Sequence, residues 1–81
     1  MFAKLYKTKL GQILVKFDTD GDECNPEVRF YFRPDGLGVC STAIVFNDDD
    51  SGWDKAEKLF NEINKKRAVK TVTKIIEHIS S

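Results

Sequence analysis

Apolar residues recur at every second position in the first half of this chain and at helical spacing in the second half. In residues 12–18, Ile13, Val15 and Phe17 occupy alternate positions. This period of two is typical of a strand with one buried face. Residues 2–8 have a similar composition and precede this strand after a short connection. The first eighteen residues therefore predict two strands.

A third strand is predicted over residues 28–33, after a proline that cannot donate to a sheet ladder. Pro34, Asp35 and Gly36 then have the residue types of a three-residue hairpin turn. Such a turn pairs Arg33 with Leu37, so that the paired residue numbers sum to 70. One face of this hairpin then carries Val28, Phe30, Phe32, Cys40, Thr42, Ile44 and Phe46. The opposite face carries Arg29, Tyr31, Arg33, Leu37, Val39, Ser41, Ala43 and Val45.

Two helices are predicted after the strands. Ser51 followed by Asp54 fits a capping box, with Asp in place of Glu. One apolar stripe comprises Trp53, Ala56, Leu59, Phe60 and Ile63, and an out-of-phase second stripe comprises Ala68, Val72, Ile75, Ile76 and Ile79. The change of phase predicts a break near residues 64–67. The β-branched content of residues 69–73 leaves an edge strand as the alternative for 68–79.

These elements predict one α+β domain over residues 1–81, with two layers. An antiparallel sheet of three or four strands comes first, and two C-terminal helices cover one of its faces. We expect Trp53, Phe60 and Ile63 to pack on the aromatic face of the hairpin, against Phe30, Phe32, Ile44 and Phe46.

Composition bounds the class of protein. The chain has 81 residues, of which 41% are hydrophobic, so it is apolar enough to fold. It has no apolar run of the roughly 18 residues that span a membrane, and lysines interrupt the apolar residues at its start. We therefore expect a cytoplasmic protein with Cys24 and Cys40 reduced. A disulfide between them is the alternative if the chain is secreted.

The charges are sorted along the chain, although they cancel overall. Residues 1–16 carry four lysines and no acid. Residues 17–57 carry eleven acids against three bases, and residues 58–81 carry six bases against two acids. Such segregation affects the choice of partner and the association rate more than it affects the fold.

The first acidic segment resembles part of a calcium-binding loop. Aligned on Gly21, it has Lys16 at the first ligand position, and aligned on Asp18 it has Arg29 at the bidentate position. Neither register supplies the ligands, so a solvated acidic turn is favoured and no metal site or cofactor is expected. The candidate partner-binding acids of this segment are Asp18, Asp20, Asp22 and Glu23.

A second acidic segment precedes the first helix. Its acids suit a helix N-terminus, where the dipole favours negative charge. Three consecutive aspartates exceed what one cap requires, so a ridge facing a basic partner is an equally supported interpretation. The candidates here are Asp48, Asp49, Asp50 and Asp54.

Arg29, Tyr31 and Arg33 are the best candidates on the sheet. Alternation places all three opposite the predicted core. Tyrosine and arginine are enriched at protein interfaces, and the same residues stack bases and hold phosphates on nucleic-acid platforms. An ordinary solvated sheet face is the third interpretation.

No catalytic constellation is recognisable. Cys24, Cys40 and His78 lack the spacing of a zinc site and lack a third group that would orient a Cys–His pair. The lysines Lys66, Lys70 and Lys74 line one face of the second helix, which is what a solvated helix face shows.

The sequence therefore predicts a small non-catalytic protein-binding module that meets a basic protein surface through its acidic loops. Small size, absent chemistry and sorted charge are typical of phage and mobile-element inhibitors, including anti-CRISPR proteins, which is an analogy of type rather than a motif match. The alternative is a nucleic-acid-binding module that uses the sheet face and the C-terminal lysines. No membrane partner is expected, and the exposed edges of the sheet leave dimerisation open.

Overall fold

A computed structural model describes residues 2–19, 24–33 and 38–80 of the chain. These residues form four strands, β1 (Phe2–Thr8), β2 (Gly11–Thr19), β3 (Pro26–Phe32) and β4 (Cys40–Val45), followed by two helices, α1 (Asp50–Glu62) and α2 (Lys65–Ser80). The strands lie in chain order in one antiparallel sheet. Both helices pack against one of its faces. The predicted two-layer α+β fold is confirmed, with four strands in the sheet.

A two-residue turn joins β1 to β2. Thr8 pairs with Gly11, which leaves Lys9 and Leu10 at the corner. The Thr8 hydroxyl oxygen accepts from the Leu10 N–H at 3.0 Å and donates to the Gly11 carbonyl at 2.7 Å. Gly11 has φ +91°, a backbone conformation that side-chain-bearing residues rarely adopt. The turn therefore depends on glycine at this position.

The pairing of β3 with β4 differs from the prediction by two residues. Phe30 pairs with Thr42, and Phe32 pairs with Cys40, so the paired numbers sum to 72 rather than 70. Since the shift is even, the side chains of the paired residues stay on their predicted faces. The predicted turn at residues 34–36, and Leu37 beside it, lie outside the described residues.

The start of β3 also differs from the prediction. Pro26 is the first residue of the strand, where it pairs with Thr19, rather than a residue outside it. The first position of a strand tolerates proline, and the Pro26 carbonyl accepts from the Phe46 N–H at 2.8 Å. Asp18 pairs with Glu27 within the ladder, although Glu27 precedes the predicted third strand.

The core lies between the helices and one face of the sheet, which we call the inner face. α1 lies over β2 and β3, whereas α2 lies over β1 and β2. The buried apolar side chains are Ile13, Val15, Phe17, Val28, Phe30, Phe32, Ala56, Phe60, Ile63, Ala68 and Val72.

The position of α1 changes the expected packing at β4. Phe60 and Ile63 are buried as predicted, but Ile44 on β4 is 44% exposed because the helices lie mainly over β1, β2 and β3. Trp53, expected in the core, is 38% exposed. Its ring packs on Phe17 of β2, with 5.9 Å between ring centroids. The prediction that Trp53 and Ile44 belong to the core is therefore wrong.

The N-terminus of α1 is capped by Asp49 rather than by the predicted Ser51. The Asp49 carboxylate accepts from the Gly52 N–H at 2.6 Å. Gly52 is buried, and a Cβ there would overlap the carbonyl group of Asn47. Glycine therefore allows the chain entering α1 to pass close to its first turn.

The helices are separated at Ile63 and Asn64, next to the predicted break. The Asn64 side chain accepts from the Arg67 N–H at 2.9 Å, which caps the second helix. Residues 68–79 are helical, so the alternative of an edge strand is wrong. The side chain of Ile79 lies outside the described part of the structure.

Lys4 ties β1 to the end of α1. Its Nζ donates to the carbonyls of Phe60 at 2.6 Å and Ile63 at 3.1 Å, and it lies 4.6 Å from the centre of the Phe60 ring. The Tyr6 hydroxyl donates to the same Ile63 carbonyl at 3.2 Å. α1 has no basic residue in its own last turn. Lys4 therefore supplies the cation that the negative end of the helix dipole favours.

Candidate interaction surface

The face of the sheet opposite the helices, which we call the outer face, is the main candidate. It carries the positions that alternate with the core residues, so Arg29 and Tyr31 lie on it as predicted. Arg33 follows β3 and is exposed. The described outer-face residues of the four strands are Ala3, Leu5, Lys7, Gln12, Leu14, Lys16, Asp18, Glu27, Arg29, Tyr31, Ser41, Ala43 and Val45.

Arg29 is held in place by its neighbours. Its guanidinium donates to both carboxylate oxygens of Glu27, at 2.9 and 3.2 Å, and to the Ser41 hydroxyl at 3.1 Å. The hydrogen bond to Glu27 raises the pKa of Arg29 above its already high usual value. Only 7% of the Glu27 side chain is exposed, and a buried carboxylate needs such a partner. Arg29 is therefore engaged within the sheet rather than free for a partner.

Tyr31 belongs to an apolar row that crosses three strands. Leu5 pairs with Leu14, and Leu14 pairs with Tyr31, so the three side chains are neighbours on the outer face. Lys16 lies beside this row, with its Nζ 5.8 Å from the centre of the Tyr31 ring. Leu5 is 57% exposed. Leu14 and Tyr31 are half-buried. A row of large apolar side chains that is partly open to solvent and lies outside the core is typical of a contact surface.

The row opens into a concave groove of about 640 Å³. Val39, which is 71% exposed, also lines it. Gln12 and Arg33 contribute polar groups. The groove therefore combines an apolar floor with an amide and a guanidinium, a composition suited to a side chain or short segment of another protein. Its lining residues are Leu5, Gly11, Gln12, Leu14, Tyr31, Phe32, Arg33 and Val39.

Only two of the three outer-face residues that the sequence predicted as one site line the groove. Tyr31 and Arg33 line it, whereas Arg29 does not. Leu5, Gln12 and Leu14 were not anticipated as site residues. A signal for Leu14 was present, because it is apolar at a position where the alternation in β2 calls for a polar residue.

The acidic candidates that the structure describes gather at the opposite end of the sheet from the β1–β2 turn. Asp18 lies near the end of β2, and Asp48, Asp49 and Asp50 follow β4, which ends beside the start of β3. Asp54 lies in the first turns of α1 and is exposed. We call these five residues the acidic end. Asp20, Asp22 and Glu23 lie outside the described residues.

Several of these acids have structural duties. The Asp18 carboxylate accepts from the Thr19 N–H at 2.8 Å, and Asp48 accepts from the Trp53 indole N–H at 3.0 Å. Asp49 is the cap of α1. Asp50 and Asp54 are exposed on the helix surface. Local hydrogen bonds therefore account for Asp18, Asp48 and Asp49, but not for the exposed Asp50 and Asp54.

Cys24 and Cys40 do not come together in one site. Cys24 and Cys40 are free thiols, and they lie at opposite ends of β3, because Cys40 pairs with Phe32 while Cys24 precedes Pro26. The seven residues of β3 span roughly 20 Å, far beyond the reach of a disulfide. Within residues 2–19, 24–33 and 38–80, no group of three or more His, Cys, Asp or Glu residues is arranged to hold a metal ion.

The lysines Lys66, Lys70 and Lys74 are all exposed on α2. Neither of the helices described is long and apolar enough to cross a membrane. Comparisons of the chain with protein-family models, with curated proteins and with solved structures found no significant match.

Proposed function

We propose that this protein is a non-catalytic protein-binding module whose contact surface is the groove on the outer face. The observation that carries the proposal is the row of exposed Leu5 and half-buried Leu14 and Tyr31, with exposed Arg33 beside it. Burying large apolar side chains against a partner supplies most of the free energy of such contacts. Tyrosine and arginine add directional hydrogen bonds.

The composition of the outer face favours a protein over a nucleic acid. Tyr31 is the single aromatic side chain among the described outer-face residues, whereas platforms for single strands stack successive bases on several aromatic rings. Arg29 is neutralised by Glu27, which removes one of the cations that a phosphate backbone would need.

The negative charge of the acidic end indicates the charge expected on the partner. Exposed acids at one end of a small domain attract a basic surface over a Debye length and raise the association rate more than the affinity. We therefore propose a partner with a basic surface next to an apolar contact. That binding also inhibits the partner, as the analogy with phage inhibitors suggests, stays a prediction.

Site-specific photo-crosslinking in the native host tests the proposal. A photoreactive residue replaces Leu5 in the groove, and a matched control carries it at Lys70 on the exposed face of α2. We expect an adduct with a defined host protein from position 5 and none from position 70. The same adduct is expected to disappear when Leu14→Glu places a charge in the groove.

Nuclease treatment and a salt series complete the test. The adduct is expected to survive nuclease, and labelled single- and double-stranded nucleic acid are expected to bind negligibly. Micromolar nucleic-acid binding with a steep salt dependence would contradict the proposal and favour the nucleic-acid-binding alternative. Equal crosslinking from positions 5 and 70 would remove the groove as the contact surface.

A further inference from the structure

The last strand of the sheet is an uncovered edge. β4 pairs with β3 on one side, and in the described part of the chain no strand pairs with its other side. Ile44 on the inner face is 44% exposed and Val45 on the outer face is 50% exposed. Both faces of β4 are therefore open along with its edge.

The ladder defines which backbone groups face outward. The Phe46 N–H donates to the carbonyl of Pro26, which makes this a hydrogen-bonded pair that continues the register of the β3–β4 ladder. Hydrogen-bonded and non-hydrogen-bonded pairs alternate in an antiparallel ladder. The N–H and C=O groups of Ser41, Ala43 and Val45 therefore point away from β3, toward the open side.

The two edges of the sheet are protected differently. β1, the other edge, carries the exposed charge of Lys7, and charged side chains on an edge discourage pairing with another chain. β4 has six residues, Cys-Ser-Thr-Ala-Ile-Val, with no charge and no proline. Such a strand is a template for a further strand.

We propose that a second copy of this chain pairs with β4, antiparallel and about a two-fold axis at Ala43. In this register Ala43 faces Ala43 of the second copy, and Ser41 faces Val45 of the second copy. All the outward-facing backbone groups of the strand are then paired. On the inner face Thr42 lies opposite Ile44 of the second copy, which covers the exposed part of Ile44. The result is a continuous sheet of eight strands with an isologous interface.

Charge complementarity at the strand ends supports a second copy as the occupant. The acids Asp48 and Asp50 follow the C-terminal end of β4, and exposed Arg33 lies near its N-terminal end, at the far end of β3. An antiparallel two-fold pairing brings the acidic end of each copy toward the Arg33 end of the other. Opposite charges therefore meet at both ends of the interface. Since the strand is short, the contact falls at the small end of protein interfaces and is expected to dissociate on dilution.

Charge substitutions on the two-fold axis test this proposal. Ala43→Lys and Ala43→Glu each place like charges directly opposite each other in the homodimer, which destabilises a cross-strand pair. Sedimentation equilibrium over a concentration series measures the mass. We expect the wild type to rise toward twice the 9.2 kDa of one chain, and each variant alone to stay monomeric.

An equimolar mixture of the two variants is expected to restore the dimer, because Lys then faces Glu. This rescue also shows that both variants fold. Ala3→Lys, on the β1 edge, is the matched control and is expected to leave the wild-type equilibrium unchanged. A wild type that stays monomeric at every concentration overturns the proposal. So does a dimer that Ala3→Lys dissociates and the Ala43 variants do not, or a mixture that stays monomeric.

Discussion

The two faces of one sheet have opposite roles, and two consecutive residues of β3 show the contrast. The Phe30 side chain lies on the inner face, is 2% exposed and sits in the core. Tyr31 lies on the outer face in the groove, where no helix covers it. Apolar area on the inner face is already buried and stabilises the fold, whereas apolar area on the outer face remains available to a partner. Successive residues of β3 thus contribute to the core and to the proposed contact surface.

The largest effect is expected on the inner face. Phe30→Ala removes a ring from a tightly packed site and leaves a cavity, which costs about 3–5 kcal/mol. Since a domain of this size has only ~3–5 kcal/mol of stability, most of the population is expected to unfold. Tyr31→Ala, one residue along, is expected to cost no more than about 1 kcal/mol, because it removes cross-strand contacts on an open face.

Urea unfolding followed by circular dichroism measures both changes. The wild type and Tyr31→Ala are expected to show complete unfolding transitions. Phe30→Ala is expected to be largely unfolded even without urea. Equal losses of stability for the two variants would mean that the outer face is also part of the packed core.

A pair of lysines on β1 gives an intermediate effect. Lys4 lies on the inner face and donates to two carbonyls at the end of α1, whereas Lys7 is exposed on the outer face. Lys4→Met removes charged hydrogen bonds at the negative end of a helix dipole and is expected to lower the free energy of unfolding by about 1–2 kcal/mol. Lys7→Met is expected to change it by less than about 0.5 kcal/mol.

Chemical denaturation of these two variants under identical conditions makes the comparison. If Lys4→Met is as stable as Lys7→Met, the hydrogen bonds from β1 to α1 do not hold the helix on the sheet.

The sequence predicted the faces of the strands better than their pairing. Alternation alone places Phe30 inward and Tyr31 outward, and an error of two residues in the hairpin register preserves that parity. The register itself depends on the length of the β3–β4 connection, which residue types at a turn do not determine. In the same way, the run of aspartates predicted a helix start but not which residue caps it, because Asp49 and Ser51 are both good caps.

Contacts between distant segments of the chain could not be predicted from the sequence. The contact of Lys4 with the end of α1 joins residues more than fifty positions apart, and no local pattern signals it. The groove likewise depends on the register that places Leu5, Leu14 and Tyr31 side by side. The pairing of Arg29 with Glu27 has a local basis, since residues two apart on a strand share a face. The pairing was not predicted, because Glu27 lies one residue before the predicted third strand.

Substitutions at the acidic end are expected to change the association rate and to have little effect on stability. Replacing Asp48, Asp49 and Asp50 together with Asn keeps an oxygen acceptor for the Gly52 N–H and the Trp53 indole, so the cap is preserved. The triple variant is expected to lower the association rate with a basic partner and to flatten its salt dependence, with little change in thermal stability.

The central claim is tested most directly by the rate at which Tyr31→Ala dissociates from the host protein that crosslinking identifies. A biosensor measures this rate. Truncating a central aromatic contact raises the dissociation rate rather than lowering the association rate. We predict dissociation about tenfold faster than for the wild type, from a variant that urea unfolding shows to be folded. Dissociation of Tyr31→Ala at the wild-type rate would contradict the claim that the outer face is the binding surface.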